Sequence, residues 1–314
     1  MIEIKKLTQS DSGRAFEWAM GCSLSKLTNT LIVSNKYSEL AENSYKKMND
    51  KKKDSLIKAA DIALAHILEK ENVLITSSTN KKIEFNTDKA GKHGDVRDLL
   101  LYVSGKVLGI SCKYNHQALK HSRLSGKCNF IKVWGIDVNG CSTDYWNKVK
   151  PLFAKLTKLR KNSNKTMLWA DVEDKANEYY WPVLDAWADE IKNLCDQGTE
   201  KQAEVCKSII SYLVGKHDFY KVIYEGQKKS VLIQGFNFNN TLATRKTKYP
   251  DSINAINSKN GSKYSKTLVF NHGYSINFRI HSASSKIESS LKFDVNVIGL
   301  PVNEVYQQTF DITK

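Results

Sequence analysis

The sequence predicts a mixed α+β protein of the α/β class, with a central mixed sheet flanked by helices, and three observations lead to this prediction. Apolar residues recur at helical spacing over 11–30 and again over 142–216. Two apolar runs, 99–103 and 107–112, flank a short polar turn and have the composition of a β-hairpin. From residue 217 onward, β-branched and aromatic runs separated by polar turns indicate a β-rich C-terminal part.

The composition indicates a globular protein with a basic surface. Its 314 residues are 41% hydrophobic and 10% aromatic, enough for a substantial core, which excludes a disordered chain. The net charge of +15 favours a polyanionic partner, because each lysine or arginine that neutralises a nucleic-acid phosphate releases a condensed counterion. No apolar run is long enough to span a membrane, and the first residues lack the apolar segment of a signal peptide. We therefore expect a soluble intracellular protein without a membrane partner.

The six cysteines are expected to be reduced thiols rather than zinc ligands. None forms a Cys-x-x-Cys pair, which excludes the zinc-ribbon and thioredoxin signatures. Three of them share a region with His116 and His121, but their spacings match no standard metal site.

The N-terminal part is predicted to consist of helices followed by two short strands. Asp11 or Ser12 can cap the first helix, because their side-chain oxygens accept hydrogen bonds from the free N–H groups of a first turn. The next elements follow from periodicity and composition: helices over 36–49 and 54–70, and strands over 73–76 and 82–85.

The hairpin is the best-defined element of the sequence. Gly105 permits the positive φ that a tight turn needs between the two apolar runs. With the turn centred there, antiparallel pairing sets Asp98 opposite Ser111 and Cys112. Side chains alternate along a strand, so Ser111 and Lys113 share a face. A carboxylate and an ammonium group are thereby expected to meet at one end of a two-stranded ribbon.

That arrangement suits chemistry on a phosphodiester. A carboxylate oxygen binds a hard divalent cation, and the ammonium of Lys113 would face the negative charge that develops on a phosphate. Asp95 is an alternative acid, but Asp98 is preferred because it directly precedes the apolar strand, which would fix its position. A basic helix over 117–125 is predicted to follow the hairpin.

The hairpin resembles the PD-(D/E)XK nuclease core, in which an acid is followed across a hairpin by acid-x-Lys. The match is Asp98 with Ser111-Cys112-Lys113, so a serine stands where the second acid is expected. Longer segments resemble the HaeIII family of type II restriction endonucleases and touch both ends of the chain: GDVRD at 94–98, GISCKYNHQALKHSRLS at 109–125, DFYKV at 218–222 and RIHSASSKIESSLKFD at 279–294.

The resemblance implies a Mg²⁺-dependent endonuclease with a metal site at the hairpin. Asp98 would bind the metal, helped by the Ser111 hydroxyl or the Ile110 carbonyl. Nucleases of this fold often take an acid from the first helix, which makes Glu17 a candidate ligand, although it equally suits a solvated glutamate. The acids of the second predicted helix, Glu39 and Glu42, are weaker candidates.

The resemblance also implies roles in the reaction and a biological setting. Lys113 would orient the attacking water and stabilise the transition state, whereas His116 would assist proton transfer or structure its loop. The implied target is 5′-GGCC in duplex DNA, cut to blunt ends. A cognate DNA methyltransferase would protect the host, and the enzyme would be cytoplasmic in a prokaryote.

Basic side chains predicted to contact DNA occur in three segments. Arginine and lysine donate to the O6 and N7 atoms of guanine, so a G·C-only site calls for several of them. They could equally form an exposed basic face or a mobile surface loop. The candidates are Lys120, His121 and Arg123 after the hairpin, Arg245 and Lys246 in a long polar loop over 240–266, and Arg279, His281 and Lys286 in the β-rich part.

The chain is expected to have three parts: a nuclease core over 1–140, a helical region over 141–216 and a β-rich DNA-recognition part over 217–314. Two other functions stay open. A non-catalytic, sequence-specific DNA-binding protein with a decayed nuclease motif is supported by Ser111. An RNA-processing nuclease would share the same basic character.

Overall fold

The computed structural model describes residues 8–72, 81–87, 94–103, 105–115, 118–258, 261–281 and 286–313, with only the backbone of 118–121 and 281. The strand predicted over 73–76 lies outside these residues. The chain forms two compact units. The first comprises Met1–Gln117, Val214–Lys248 and Val302–Lys314, and the second comprises Ala118–Leu213 and Tyr249–Pro301.

Three helices open the first unit, and they confirm the predicted helical N-terminal part. They are α1 (Gln9–Thr28), α2 (Lys36–Lys46) and α3 (Asp50–Lys70). The predicted cap at Asp11 or Ser12 was wrong. Thr8 is the N-cap, and Asp11 completes a capping box: the Asp11 N–H donates to Thr8 Oγ1 at 3.0 Å, and the Thr8 N–H donates to Asp11 Oδ2 at 3.2 Å.

A six-stranded mixed sheet forms the centre of the first unit. Its strands are β1 (Lys81–Phe85), β2 (Leu99–Val103), β3 (Lys106–Tyr114), β5 (Phe219–Glu225), β6 (Ser230–Phe236) and β11 (Tyr306–Asp311). They lie in the order β1-β2-β3-β5-β6-β11. The pair β3–β5 is parallel, and the other pairs are antiparallel. Polar residues dominate β11, which hid this edge strand from the hydrophobic pattern.

One face of this sheet belongs to the hydrophobic core of the first unit. The core combines Phe16 and Met20 of α1 with Leu101, Ile110 and Val222 of the strands, and all five are at most 1% exposed. Side chains alternate between the two faces of a strand, so Ser111, Lys113 and Asp98, which lies opposite Ser111, project from the face that points away from this core. The helices therefore cover one side of the sheet, and the polar hairpin residues occupy the other side.

The second unit contains a five-stranded antiparallel sheet and the remaining described helices. The strands β4 (Ala118–Ser125), β7 (Ile253–Asn257), β8 (Ser265–Phe270), β9 (Ser275–His281) and β10 (Ser290–Gly299) lie in the order β4-β10-β9-β8-β7. The helices are α4 (Phe130–Val133), α5 (Thr143–Asn162), α6 (Trp181–Cys195) and α7 (Thr199–Val214), the last residue of which belongs to the first unit. The Trp187 ring packs on Phe278 and Phe293, with centroids 4.7 and 5.1 Å away.

The basic helix predicted over 117–125 was wrong, because residues 118–125 form strand β4. This strand pairs antiparallel with β10, and Ser122 and Leu124 face Phe293 and Leu291 in register. The pairing joins segments far apart in the sequence, so it outweighs a local pattern that fits either helix or strand. The predicted loop over 240–266 was also wrong in part, since it contains β7 and the start of β8.

The three predicted parts of the chain contribute to both units. The β-rich part over 217–314 supplies β5, β6 and β11 to the first sheet and β7 to β10 to the second. The separate roles expected for 1–140, 141–216 and 217–314 stay a prediction. Across the described ranges, no helix combines the length and apolar composition of a membrane span.

Replacing Asp11 with alanine is expected to lower the free energy of unfolding by about 1 kcal/mol at pH 7. Hydrogen bonds from Lys47 and Thr8 hold the pKa of Asp11 below its ordinary value. The carboxylate therefore stabilises the fold above the unfolded-state pKa of about 4, and this contribution is lost as the pH falls further. Urea denaturation at pH 7 and at pH 3 should show the difference between variant and wild type shrinking in acid.

Asp50→Ala is the matched control for this experiment. Asp50 also lies in a first helical turn, but its side chain is 96% exposed and reaches Lys53 only at 3.5 Å. An exposed pair of this kind contributes a few tenths of a kcal/mol. Equal losses in the two variants would show that the capping box adds nothing.

Candidate active site

The carboxylate of Asp98 accepts three hydrogen bonds from residues near the C-terminal end of β3. Its Oδ2 atom accepts from the Cys112 N–H at 2.6 Å, from Lys113 Nζ at 3.0 Å and from Ser111 Oγ at 3.1 Å. Among the described residues, none donates to Oδ1. The hairpin predicted from the sequence is therefore confirmed, including the meeting of Asp98 with Ser111, Cys112 and Lys113.

The backbone around Asp98 is held by both neighbouring strands. The Asp98 N–H donates to the Ile110 carbonyl at 2.8 Å, and the Asp98 carbonyl accepts from the Asn86 N–H at 2.9 Å. The turn at Gly105 has a φ of 82°, which is the left-handed conformation that glycine tolerates. Backbone hydrogen bonds thus fix where the carboxylate stands.

Lys113 stays cationic at this site. Burial would lower its pKa, but the charge and hydrogen bond of Asp98 and the charge of Glu17 outweigh burial and raise it above the ordinary value. The side chains of Lys113 and Asp98 are 26% and 25% exposed, so water and a substrate can reach the pair. The arrangement presents a permanent positive charge beside a carboxylate.

Glu17 lies close enough to act on the same end of the sheet. Its charge raises the pKa of Lys113, and it contributes, after burial and Asp98, to raising the pKa of Cys112. Cys112 is therefore a protonated thiol and a poor nucleophile. Helix α1 brings Glu17 to this position because its apolar side, with Phe16 and Met20, is buried in the core.

Asp95, the alternative acid, is engaged by Arg97. Its two carboxylate oxygens accept from Arg97 Nε at 2.8 Å and Arg97 Nη2 at 2.7 Å. Burial would raise the pKa of Asp95, but these hydrogen bonds outweigh burial and lower it. The Arg97 side chain lies over Gly109, where an added Cβ would be 2.0 Å from Arg97 Cδ. These contacts give Asp95 a structural role and leave Asp98 as the acid beside Lys113.

Lys221 is a residue that sequence reasoning missed. It lies on β5 directly beside Ser111 in the parallel pairing, and it is 3% exposed. Burial and the charge of Lys113 lower the pKa of Lys221 to about 7. The available signal was the lysine inside the buried run FYKVIY, because lysine is rarely fully buried unless it is paired.

The oxygen donors at the hairpin fit a hard divalent cation. Carboxylate and hydroxyl oxygens are the ligands that Mg²⁺ prefers, and Asp98 Oδ1 is not used by the described donors. The Ile110 carbonyl, a predicted helper, already accepts one hydrogen bond from Asp98. Within the described residues, no cluster of three or more His, Cys, Asp or Glu side chains could hold a metal ion.

The predicted DNA-contacting residues fall into two groups. His116, which was predicted to assist proton transfer, lies outside the described residues. Arg245 and Lys246 are exposed on a loop of the first unit. In the second unit, Arg123 bonds Glu288, and Arg279 Nη2 reaches Asp294 at 3.4 Å. Lys120 and His121 lie on β4, His281 on β9, and the exposed Lys286 in a β-bridge with Leu168.

One face of the second sheet brings several of these residues together. Register pairs Arg279 with Asp294, Arg123 with Lys292, and Thr267 with Asn277. We call this set the polar sheet face, and it comprises Arg123, Thr267, Asn277, Arg279, Lys292 and Asp294. The alternate residues of the same strands, among them Phe278, Ile280 and Phe293, are fully buried. The predicted alternation of Asn277 and Arg279 against Phe278 and Ile280 is confirmed.

Comparison with known proteins connects this geometry to a family. The family model described as HaeIII restriction endonuclease matches residues 13–301. The chain is 32% identical over 317 residues to the type II restriction enzyme HaeIII of Haemophilus aegyptius, covering 96% of this chain and 97% of that enzyme. No solved structure matches the chain. Type II restriction endonucleases bind DNA and generally use a divalent metal. The chain therefore belongs to the HaeIII restriction endonuclease family and is a type II site-specific deoxyribonuclease.

Proposed function

We propose that this enzyme hydrolyses phosphodiester bonds of duplex DNA at 5′-GGCC with Mg²⁺ as its cofactor, and that Asp98 and Lys113 form the reaction centre. The convergence of three donors on Asp98 Oδ2 carries this proposal. These hydrogen bonds orient the Asp98 carboxylate and leave its Oδ1 atom available to a cation. Lys113 lies next to this carboxylate and stays charged. The target sequence rests on the family relationship.

The chain's own residues would divide the work at the scissile phosphate. Asp98 would hold the cation through Oδ1, with Glu17 and the Ser111 hydroxyl as further oxygen donors. A bound Mg²⁺ would supply Lewis-acid polarisation of the phosphate and a lowered pKa for water. Lys113 would orient the attacking water and offset the charge that develops on the phosphate oxygens.

Two residues have supporting roles in this proposal. The Ile110 carbonyl would hold the Asp98 backbone, in keeping with the 2.8 Å hydrogen bond between them, and would serve the cation with its second lone pair. His116 would assist protonation of the leaving group, because a histidine two residues after Tyr114 follows directly on the strand that carries Lys113.

The polar sheet face would recognise the target. Arginine donates to guanine O6 and N7, and aspartate accepts from cytosine N4, so the neighbours Arg279 and Asp294 carry the two side-chain types that a G·C-only site needs. Arg123 is 47% exposed and Arg279 is 53% exposed, so both are available to a duplex. Lys120, His121, His281 and Lys286 would add contacts to phosphates.

The loop with Arg245 and Lys246 would form a second contact to the DNA. Asp218 is 5% exposed and accepts hydrogen bonds from the N–H groups of Asn239 and Thr241, which order the start of this loop. An ordered loop loses less conformational entropy on binding than a flexible one. The two basic side chains are therefore well suited to phosphate contacts.

A restriction enzyme needs a protected host genome. We accordingly propose a cognate DNA methyltransferase as the genetic partner and the prokaryotic cytoplasm as the compartment, because both enzymes must meet the same DNA.

The proposed activity is tested by incubating plasmid DNA with the enzyme and Mg²⁺, with EDTA as the control. We expect discrete fragments in Mg²⁺ alone, and sequencing of their ends should show blunt cuts within GGCC. Fragments with another terminal sequence would contradict the target, and retention of DNA without cutting in any divalent metal would contradict catalysis.

Lys113→Ala is expected to slow single-turnover cleavage by about a hundredfold to a thousandfold, because the ammonium acts on charge that develops in the transition state. The affinity for the uncut target duplex, measured in EDTA, should change little, because Asp98 balances the charge of Lys113 in the free enzyme. Lys106→Ala is the control: Lys106 is exposed at the other end of the same strand and should leave cleavage unchanged. Undiminished cutting by Lys113→Ala would remove Lys113 from the mechanism.

Arg279→Ala is expected to weaken binding to a GGCC duplex by roughly tenfold to a hundredfold, while binding to an unrelated duplex falls much less. Fluorescence anisotropy on the two duplexes measures the difference. Lys148→Ala serves as the control, since Lys148 is an exposed residue of α5 paired with Asp144 and Asp189. An equal loss on both duplexes would reassign Arg279 to phosphate binding.

A further inference from the structure

The loop over 237–247 of the first unit carries two exposed cations and no acid. We call it the basic loop, and its cations are Arg245 and Lys246. Although the two cations are exposed, the backbone of this loop is held from the interior by polar side chains that water barely reaches. These side chains belong to Glu71, Asp218 and Asn237, which are 4%, 5% and 0% exposed.

Two of the three side chains come from positions in or next to the basic loop in the sequence. The Thr247 N–H donates to the Asn237 carbonyl at 2.9 Å, which closes the loop. The Asn237 amide also bonds both backbone groups of Leu242, with its Oδ1 atom accepting at 3.1 Å and its Nδ2 atom donating at 3.2 Å. Together with the contacts of Asp218 described above, these hydrogen bonds give the loop its local shape.

Glu71 holds the basic loop from a distant element. It is the C-cap of α3 and lies 172 residues before Ala243 in the sequence. Its Oε1 atom accepts from the Ala243 N–H at 2.8 Å and from the hydroxyl of Tyr220 on β5 at 2.7 Å. One carboxylate oxygen thus connects a helix, the central sheet and the loop. Ala243 lies two residues before Arg245, so this hydrogen bond fixes the backbone from which the two cations extend.

The position of Glu71 is itself well fixed. The Tyr220 side chain is fully buried, and the Glu71 N–H donates to the Ile67 carbonyl at 3.0 Å in the last turn of α3. A buried acceptor that keeps two donors has little freedom to move, because breaking either hydrogen bond leaves a buried polar group without its partner. The loop backbone is therefore tied to a rigid point of the core.

We propose that Glu71 is a positioning residue for DNA binding, which holds the basic loop through the Ala243 N–H so that Arg245 and Lys246 meet backbone phosphates of the duplex. This inference rests on the proposed function, because it needs these two cations to contact DNA. A loop that is ordered before binding loses less conformational entropy when the duplex arrives. Glu71 is buried and acts only through the loop, so its effect on affinity should require the two cations.

The test is a double-mutant cycle on the affinity for duplex DNA, measured by fluorescence anisotropy in EDTA. It compares the wild type, Glu71→Ala, the loop variant Arg245→Ala/Lys246→Ala and the combination of all three substitutions. We expect Glu71→Ala to weaken binding by about threefold to tenfold in the wild-type background, as for one or two side chains that must be ordered on binding. In the loop variant, the same substitution should cost less than about twofold.

The loss should also be independent of the DNA sequence. Contacts to phosphates carry no sequence information, so Glu71→Ala is expected to weaken binding to a GGCC duplex and to an unrelated duplex by the same factor. This result would differ from the one expected for Arg279→Ala, which should act mainly on the GGCC duplex.

Glu190→Ala is the matched control for the removal of a buried glutamate. Glu190 is also 4% exposed, and its two carboxylate oxygens accept from the N–H and the hydroxyl of Ser142 in the second unit. Its removal should lower the Tm, as is expected for Glu71→Ala. Any effect of Glu190→Ala on DNA affinity should, however, be the same with and without Arg245 and Lys246.

Two further variants examine the hydrogen bond itself. Glu71→Gln keeps a carbonyl oxygen that can accept from Tyr220 and Ala243, so it should bind DNA within about twofold of the wild type. Ala243→Pro removes the N–H from the exposed loop side and should weaken binding as Glu71→Ala does. Because Ala243 is outside the core, this variant also tests the proposal if Glu71→Ala does not fold.

The outcomes distinguish this inference from the proposed function. If Glu71→Ala and Ala243→Pro bind DNA like wild type, or if their losses are the same in the loop variant, the Glu71 inference is overturned and the proposed DNA contact of the loop stands. If the loop variant itself binds DNA like wild type, both are overturned, whereas the reaction centre is still judged by Lys113→Ala. A loss that requires the two cations and is restored in Glu71→Gln supports Glu71 as the positioning residue.

Discussion

The antiparallel pairing of β2 with β3 is the constraint on which the active site depends. It holds the Asp98 backbone through the hydrogen bond to Ile110, and it aims three donors of β3 at one carboxylate oxygen. Side chains alternate with a period of two, so a slip of one residue would turn Ser111 and Lys113 toward the helix-covered face. The chemistry therefore depends on backbone register before it depends on any side chain.

The electrostatics of the site differ between two neighbouring lysines, Lys113 on β3 and Lys221 on β5. On β3, Asp98 and Glu17 outweigh burial and keep Lys113 cationic. On β5, burial and the Lys113 charge act together and lower the pKa of Lys221. The pKa values of two neighbouring lysines thus shift in opposite directions, because Asp98 and Glu17 act on Lys113, whereas burial dominates at Lys221.

Local chemistry in the sequence was sufficient to predict the hairpin and the order of most elements. A glycine turn between apolar runs specifies a hairpin within a few residues of chain, and this placed Asp98 beside Lys113. The strand β4 and the position of Lys221 depend on partners distant in the sequence, β10 and β3. A periodicity read along the chain contains no information about such partners, so a basic helix was predicted over 117–125 and Lys221 was missed.

The parallel pairing of β3 with β5 has a consequence for synthesis on the ribosome. The chain leaves the first sheet after β3 and passes through most of the helices of the second unit before β5 returns beside it. A nascent polypeptide can form the hairpin early, yet it cannot align Lys221 with Ser111 until nearly all those helices have emerged from the exit tunnel. The edge strand β11 follows the other strands of this sheet in the sequence and is therefore the last of them to be synthesised. The order of translation therefore delays completion of the sheet that carries Asp98 and Lys113 until the helices between β3 and β5 have been synthesised.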